Sequence, residues 1–238
     1  MKNIFLLSLA AAIAVSACSR KPEPFEEQRK DMVRKQIEQR GIQDRSIVNA
    51  FMSVPREEFV TDKYKDRAYE DNEAPIGYEQ SLDRPYENAL MILALDIQPH
   101  EKVLEVGTGS GYLASLMSKI AKEVYTIEIV PEIADMARAH IARLGYKNIE
   151  IKTGDGFVGW PEHAPFDAIV LTCSPDEMPK PLVEQLAEGG RLVLPMGGTE
   201  KFQELILYEK TGGEFKQKAR LSPTEFVPMK GKILEEEE

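Results

Sequence analysis

An open, doubly wound α/β sheet is the fold this 238-residue chain predicts, and three observations predict it. Residues 103–112, VLEVGTGSGY, run an apolar strand into a glycine-rich turn, and the helical pattern LASLMSKIAK follows at once. Strand and helix patterns then alternate as far as about Gly197, which means parallel strands joined by crossover helices. Two late apolar runs meet at Gly212-Gly213, a turn that adds an antiparallel edge to the mostly parallel sheet.

Each element has its own reason. Residues 26–52 place Met32, Val33, Ile37, Ile42, Ile47, Val48, Phe51 and Met52 at helical spacings, broken at Gly41 and restarted near Asp44, so a pair of amphipathic helices forms an N-terminal elaboration. Residues 54–86 carry prolines at 55, 75 and 85 and no sustained period. They read as loop with short turns, long enough to be a lid or substrate loop. A helix from Pro85 to Leu95 follows, with proline suited to its first turn. The core then reads VLEVG, LASLMSKIA, EVYTIEI, PEIADMARAHIARLG, IEIKTGD, a connector with Trp160, FDAIVLT, MPKPLVEQLAE and GGRLVLPMG; FQELILYEKTGGEFKQKARL and TEFVPM supply further edge strands. In such sheets a ligand lies beyond the carboxyl ends of the strands. Glu105 to Gly111, Glu128, Asp155-Gly156 and Thr172 all fall there.

The first eighteen residues, MKNIFLLSLAAAIAVSAC, hold an early lysine, an apolar run from Ile4 to Val15 and small residues before Cys18. That is the layout of a secretory signal, and the run is short for a membrane span. Val15-Ser16-Ala17-Cys18 resembles the lipobox of bacterial lipoproteins. The resemblance implies cleavage before Cys18, lipid attachment there, and an exported protein held by its lipid on the periplasmic face of the outer membrane, Ser19 standing where an aspartate would retain it. The organisation expected is a signal peptide at 1–17, a polar tether at 18–27, one domain at 28–234 and an acidic tail at 235–238. The domain divides into a helical and substrate-loop region, 28–98, and a sheet core, 99–234.

Net charge is -10, which disfavours a nucleic-acid partner. Of two cysteines, Cys18 is assigned to lipid, so Cys173 has no intramolecular partner and reads as a small packed hydrophobe. His100, His140 and His163 show no ligand spacing, and no metal is expected. A monomer is expected.

The glycine spacing narrows the ligand. A dinucleotide fingerprint is G-x-G-x-x-G, whereas this turn is Gly107-x-Gly109-x-Gly111, one residue tighter. The tighter form resembles the first motif of S-adenosylmethionine-dependent methyltransferases, whose fold is Rossmann-like. Glu128, 17 residues after Gly111, sits at the tip of the second core strand, where an acid accepts hydrogen bonds from ribose hydroxyls. A nicotinamide dehydrogenase is weakened by the spacing and by the lack of a histidine or tyrosine-lysine pair placed for hydride transfer.

The segments AFMSVPREEFV (50–60), AYEDNEAPIGYEQS (68–81), VLEVGTGSGY, NIEIKTGDGFVGWPEHAPFDAIVLT (148–172), EQLAEGGRLVLPMG (184–197) and FVPM (226–229) resemble the protein-L-isoaspartate O-methyltransferases, from about Met32 to Met229. The resemblance implies a carboxyl methyltransferase that repairs isoaspartyl or aspartyl groups in peptides and proteins. It implies S-adenosyl-L-methionine cradled by Glu105, Gly107, Thr108, Gly109, Ser110 and Gly111, with Glu128 on the ribose and Asp155-Gly156 beside the adenine. In that family the loop before the first core helix usually reads Q-T-I-S-x-P, its serine beside the acceptor carboxylate. Here it is Gln80-Ser81-Leu82-Asp83-Arg84-Pro85. Asp83 takes the serine's place, Ser81 takes the threonine's, and both are candidate catalytic residues.

Methyl transfer to a carboxylate needs no base, because the acceptor is already an anion; alignment and exclusion of water suffice. A second carboxylate about 4 Å from that anion would oppose it by roughly 4 kcal/mol at an effective dielectric near 20. Asp83 must therefore be protonated, be offset by Arg84, or serve a different acceptor, for which it would be a general base. Two further readings stay open: Asp83 as a cap on the Pro85 helix, and a non-catalytic envelope lipoprotein that binds peptides.

Overall fold

A computed structural model describes residues 24–197 and 202–231. The signal peptide, Cys18, most of the tether and the acidic tail lie outside the described residues.

The described part opens with helix α1 (Glu26–Met32), prolonged by a π turn and a 3₁₀ turn to Arg40 and stopped by Gly41 in a left-handed conformation. Helix α2 (Arg45–Ser53) starts at Asp44, whose Oδ1 accepts from the amides of Ser46 and Ile47 at 2.8 and 3.0 Å. This is the break and restart that the spacing predicts. The stretch expected to be loop is more ordered: two 3₁₀ turns, Arg56–Phe59 and Asp62–Arg67, precede a two-stranded hairpin of β1 (Ala74–Gly77) and β2 (Gln80–Leu82). Four residues and three are too few for a period-two pattern to stand out. Helix α3 (Pro85–Leu95) has the expected bounds.

Seven strands follow: β3 (Lys102–Val106), β4 (Glu123–Glu128), β5 (Ile149–Thr153), β6 (Phe166–Leu171), β7 (Leu186–Met196), β8 (Gln203–Thr211) and β9 (Glu214–Thr224), in the order β5-β4-β3-β6-β7-β8-β9. The first five pair in parallel, and β7-β8-β9 pair antiparallel. Helices α4 (Tyr112–Met117), α5 (Pro131–Leu144) and α6 (Lys180–Glu184) make crossovers. Helix α6 is shorter than MPKPLVEQLAE suggests. Gln185 ends it by turning its amide into the connector, accepting from the Trp160 amide at 2.7 Å and donating to the Val158 carbonyl at 2.8 Å, after which Leu186 enters β7. Residues 226–229 form no strand of their own; Pro228 makes a single bridge to Ser174.

Strand alternation separates two apolar layers. Val103, Ala168 and Val170 face a large cluster that includes Met32, Phe51, Ile92 and Leu116, while Leu104, Val106, Ile169 and Leu171 face a smaller one with Leu182 and Met229. The N-terminal elaboration thus covers one face of the sheet. Buried Arg29 fastens it, donating to the Tyr69 hydroxyl at 2.9 Å and pairing with Glu57 at 3.2 Å. Among the described residues no helix is long and apolar enough to cross a membrane.

Candidate active site

Strand order reverses between β3 and β6: the chain steps from β3 through β4 to β5 on one side, then returns to β6 and β7 on the other. Ligands of open α/β sheets bind at such a switch point. A cavity of about 160 Å³ lies there, walled by the 107–110 turn, the tips of β4 and β6, the β1-β2 hairpin, Asp83 and the segment 225–230.

The glycine turn is fixed from three sides. Gly107 and Thr108 both donate to the Ile127 carbonyl, at 2.9 and 3.3 Å, and Thr172 Oγ1 donates to the Gly107 carbonyl at 2.7 Å. Gly107 has φ +100°, and a Cβ there would stand 2.2 Å from Thr172 Oγ1. At Gly156 a Cβ would meet Val106 Cγ1 at 2.3 Å. Both positions bring backbone against the cleft where no side chain fits.

Glu128 is buried, and its two oxygens are spoken for: Oε2 accepts from the Gly109 amide at 3.0 Å and Oε1 from the Val130 amide at 3.1 Å. It braces the turn as well as lining the cavity. Glu105 is fully buried. Its Oε2 accepts from Thr126 Oγ1 at 2.5 Å, and Thr126 in turn bonds Thr108 Oγ1 at 2.6 Å. Glu105 lines the cavity, and its Oε1 is buried without a hydrogen bond of its own, the Ala114 amide at the start of α4 acting on the carboxyl only weakly. Burial pushes the Glu105 carboxyl up to about 8, the Thr126 hydroxyl pulls against that, and the charges of Asp83 and Glu128 add to it. An unpaired buried oxygen of this kind is costly unless a ligand completes it.

Of the other residues singled out in sequence, Ser110 and Gly156 line the cavity. Gly111 stands behind the turn as the residue before α4, packed near Ile141. Asp155 also sits behind the wall. Its Oδ1 accepts from the Phe157 amide at 2.9 Å, and it abuts Gly231, where a Cβ would lie 2.2 Å from that oxygen. Ser81 lines the cavity and donates to Glu73 Oε2 at 3.1 Å. Cys173 lines it too, its thiol pushed up to about 12 by burial and by the charges of Glu128 and Asp83.

Asp83 faces the cavity. It is no helix cap: the residue before α3 is Arg84, and no side chain caps that end. Its main-chain oxygen is gripped instead, by Arg56 Nη2 at 2.8 Å and Asn88 Nδ2 at 3.5 Å. No side-chain donor among the described residues reaches its carboxyl. Loss of water pushes that carboxyl up to about 7; Glu87 and Glu73 add to the rise, and Arg56 opposes it. The cation set against Asp83 is therefore Arg56, while Arg84 acts on Glu87.

Arg56 was not legible as a site residue. It is fully buried, donates Nε to the Ala68 carbonyl at 2.7 Å, and leaves Nη1 without a partner, its guanidinium 5.0 Å from the ring centre of the equally buried Tyr112. Its one signal is a short charged run, Arg56-Glu57-Glu58, enclosed by the apolar ends of FMSVPREEFV. The segment 225–230 is the other omission as a wall of the site. It is seated by Ser174, which donates its amide to Val227 at 2.8 Å and accepts from the Met229 amide at 2.8 Å. Among the described residues no group of three or more His, Cys, Asp or Glu side chains is placed to hold a metal ion.

Comparison with known proteins agrees with this geometry along nearly the whole chain. The family model described as protein-L-isoaspartate(D-aspartate) O-methyltransferase matches residues 27–234. A protein-L-isoaspartate O-methyltransferase of Synechococcus sp. (strain JA-2-3B'a(2-13)) is 44% identical over 213 residues, 87% of each chain. Protein-L-isoaspartate O-methyltransferase 1 of Syntrophobacter fumaroxidans is 45% identical over 87% of this chain and 96% of its own. Among solved structures, a protein-L-isoaspartate O-methyltransferase superposes with a TM-score of 0.78 at 30% identity, covering 85% of this chain and 66% of that one. A putative one from Plasmodium falciparum, in complex with S-adenosyl-L-homocysteine, gives 0.73 at 25% identity, covering 88% and 99%. With the glycine turn, the acceptor loop and the C-terminal segment all inside the matched span, the chain belongs to the protein-L-isoaspartate(D-aspartate) O-methyltransferase family.

Proposed function

We propose that this protein is an S-adenosyl-L-methionine-dependent carboxyl O-methyltransferase that acts on L-isoaspartyl or aspartyl residues of peptides and proteins, as a repair enzyme. The observation that carries the reading is the family match over 27–234, which takes in both the acceptor loop and the sheet core. The residues present suit the cofactor: the backbone of the 107–110 turn and Gly156 line the cavity beside Glu105 and Glu128, Gly107 and Gly156 are packed against Thr172 and Val106 so tightly that neither tolerates a side chain, and Glu105 Oε1 is a buried oxygen with no hydrogen bond of its own.

Bound there, the cofactor supplies a methyl group activated by its sulfonium. The chain's own residues do the rest. Glu105 and Glu128 would hold its cationic and ribose parts from the tips of β3 and β4. Asp83 and Ser81, on the loop pinned by Arg56, face the same cavity and meet the acceptor. The segment 225–230, tied to Ser174, shields the cavity from water, which strengthens every charge interaction inside it. No proton need be removed from a carboxylate acceptor, so alignment is the main contribution.

The test is incubation of the purified protein with methyl-labelled S-adenosyl-L-methionine and an isoaspartyl peptide. Base-labile methyl ester should form above a Gly107→Arg control; label no higher than that control, across pH 5.5 to 9, would sink the reading.

Export, attachment through a lipid on Cys18 and a position at the periplasmic face of the outer membrane are proposed on the sequence of residues 1–18. Incorporation of labelled fatty acid that disappears in Cys18→Ala supports the anchor, and unlabelled protein in the cytoplasmic fraction rejects it.

A further inference from the structure

Asp83 sits in a cavity crowded with like charge. Glu73 from the segment before β1, Glu105 from β3, Glu128 from β4 and Glu225 from the C-terminal segment line it, and Glu87 on α3 acts on Asp83 from outside it. Against them stand Arg56, buried behind the Asp83 carbonyl, and Lys230 at the rim; Tyr112 and Cys173 are the remaining titratable neighbours. Arg56 spends two of its donors on the Ala68 and Asp83 carbonyls, so it fixes the backbone of the loop and only partly offsets the carboxyl. An acceptor carboxylate entering here needs a donor. Ser81 already donates to Glu73, and Thr172 to Gly107. The Ser110 and Tyr112 hydroxyls, though without partners, are buried in the wall, and Lys230 belongs to the C-terminal segment; the carboxyl of Asp83, in the cavity lining with no side-chain donor upon it, is the group on the acceptor loop itself that can supply one.

We propose that Asp83 is the specificity-determining residue for the acceptor, carrying a proton that it donates as a hydrogen bond to the incoming carboxylate, so that acceptor binding takes up one proton from solvent. The inference rests on the carboxyl-methylation reading above. Two carboxyl groups facing one another hold one proton and one negative charge between them, as like charges at close range require. Methyl transfer to the acceptor moves no proton. Asp83 keeps its proton through the reaction and returns it to solvent when the neutral ester has left. Burial and the surrounding glutamates already hold the Asp83 carboxyl up to about 7, which makes the uptake partial near neutrality and nearly complete above it.

Calorimetric titration of the purified protein, saturated with S-adenosyl-L-homocysteine, with an isoaspartyl peptide of neutral flanks reads this directly. Run at pH 6 and pH 8 in buffers of different ionisation enthalpy, it should show about one proton taken up per peptide at pH 8 and only a small fraction at pH 6. Affinity should fall about tenfold per pH unit above neutrality. Asp83→Asn, which donates without titrating, should bind the peptide with no proton uptake and a flat pH dependence, and Asp83→Ser should do the same. Proton-neutral binding by the wild type, or equal uptake by Asp83→Asn, overturns the inference while leaving methylation intact. Proton release would mark Asp83 as a base for a proton-bearing acceptor and also overturns it. If the peptide neither binds nor is methylated by the wild type or by Asp83→Ser at any pH, the carboxyl-methylation reading falls and takes this inference with it.

Discussion

Arg56 Nη2 holds the main-chain oxygen of Asp83 at 2.8 Å, joining a buried cation on one segment to the acceptor loop on another. The same guanidinium reaches the Ala68 carbonyl, so one side chain sets the spacing of three segments that share no secondary structure.

Removing it should be felt twice. Arg56→Ala leaves two carbonyls without their charged donors and is expected to lower stability by about 3 kcal/mol, read from urea denaturation. Its kcat/KM for an isoaspartyl peptide should fall further than its affinity for S-adenosyl-L-homocysteine, because the glycine turn is held by other bonds. Equal losses in both would show that Arg56 acts on the whole fold and not on the loop.

Gly107→Ala forces a Cβ to 2.2 Å from Thr172 Oγ1 at φ +100°. Binding of S-adenosyl-L-homocysteine should weaken at least about tenfold, since strain of 1–2 kcal/mol falls on the turn itself. Adding Thr172→Ala should restore part of the loss, the nearest remaining Thr172 side-chain atom lying at 3.5 Å. Calorimetry on both variants decides it.

Glu128→Ala frees the amides of Gly109 and Val130 together. Charge-assisted bonds of this kind contribute about 1.5–3 kcal/mol each; if the equivalent of one of the two is expressed in binding and the other in local stability, cofactor affinity falls about tenfold to hundredfold. Glu128→Gln should fall between, its amide group facing one of the two N–H donors. A wild-type affinity in Glu128→Ala would show the turn to be rigid without this brace.

Stability of the cofactor-free protein should decline with rising pH. Burial holds the Glu105 carboxyl up to about 8, against an ordinary 4.5, so the folded state prefers the protonated form. That contribution is complete below pH 4.5 and is lost as pH climbs through 8. Asp83 adds a loss of the same sign that ends near 7. The melting temperature should drop on the order of 5 °C between pH 5 and 8, and Glu105→Gln should remove most of the decline; an unchanged slope in that variant would contradict the assignment.

What could be read in the sequence follows from range of interaction. The glycine turn, α3 behind Pro85, and the Gly212-Gly213 hairpin announce themselves because their residues are neighbours along the chain. Gly107 was legible as a close approach, but its contact with Thr172 was not, since 65 residues separate the two. Arg56 escaped for the same reason: nothing in VPREEFV says that its partners are Ala68 and Asp83. Helix α6 was overextended because the helical pattern through Gln185 and Leu186 is locally sound, and only the distant Val158-Trp160 connector redirects Gln185. Asp83 does not cap α3 although capping preference, a local rule, suits it, because Arg84 takes the position before the helix while Arg56, 27 residues away, holds the Asp83 main chain.

Because residues 225–230, which wall the cavity, follow all seven strands of the main sheet along the chain, the binding pocket is complete only when the last segment of the domain is in place. A nascent chain that has already formed β3 and its glycine turn still lacks one side of its cleft until the stretch anchored at Ser174 has emerged. A polypeptide that ended after β9 would lack that wall of its cleft and, with it, Phe226 and Met229, which are buried in the two apolar layers.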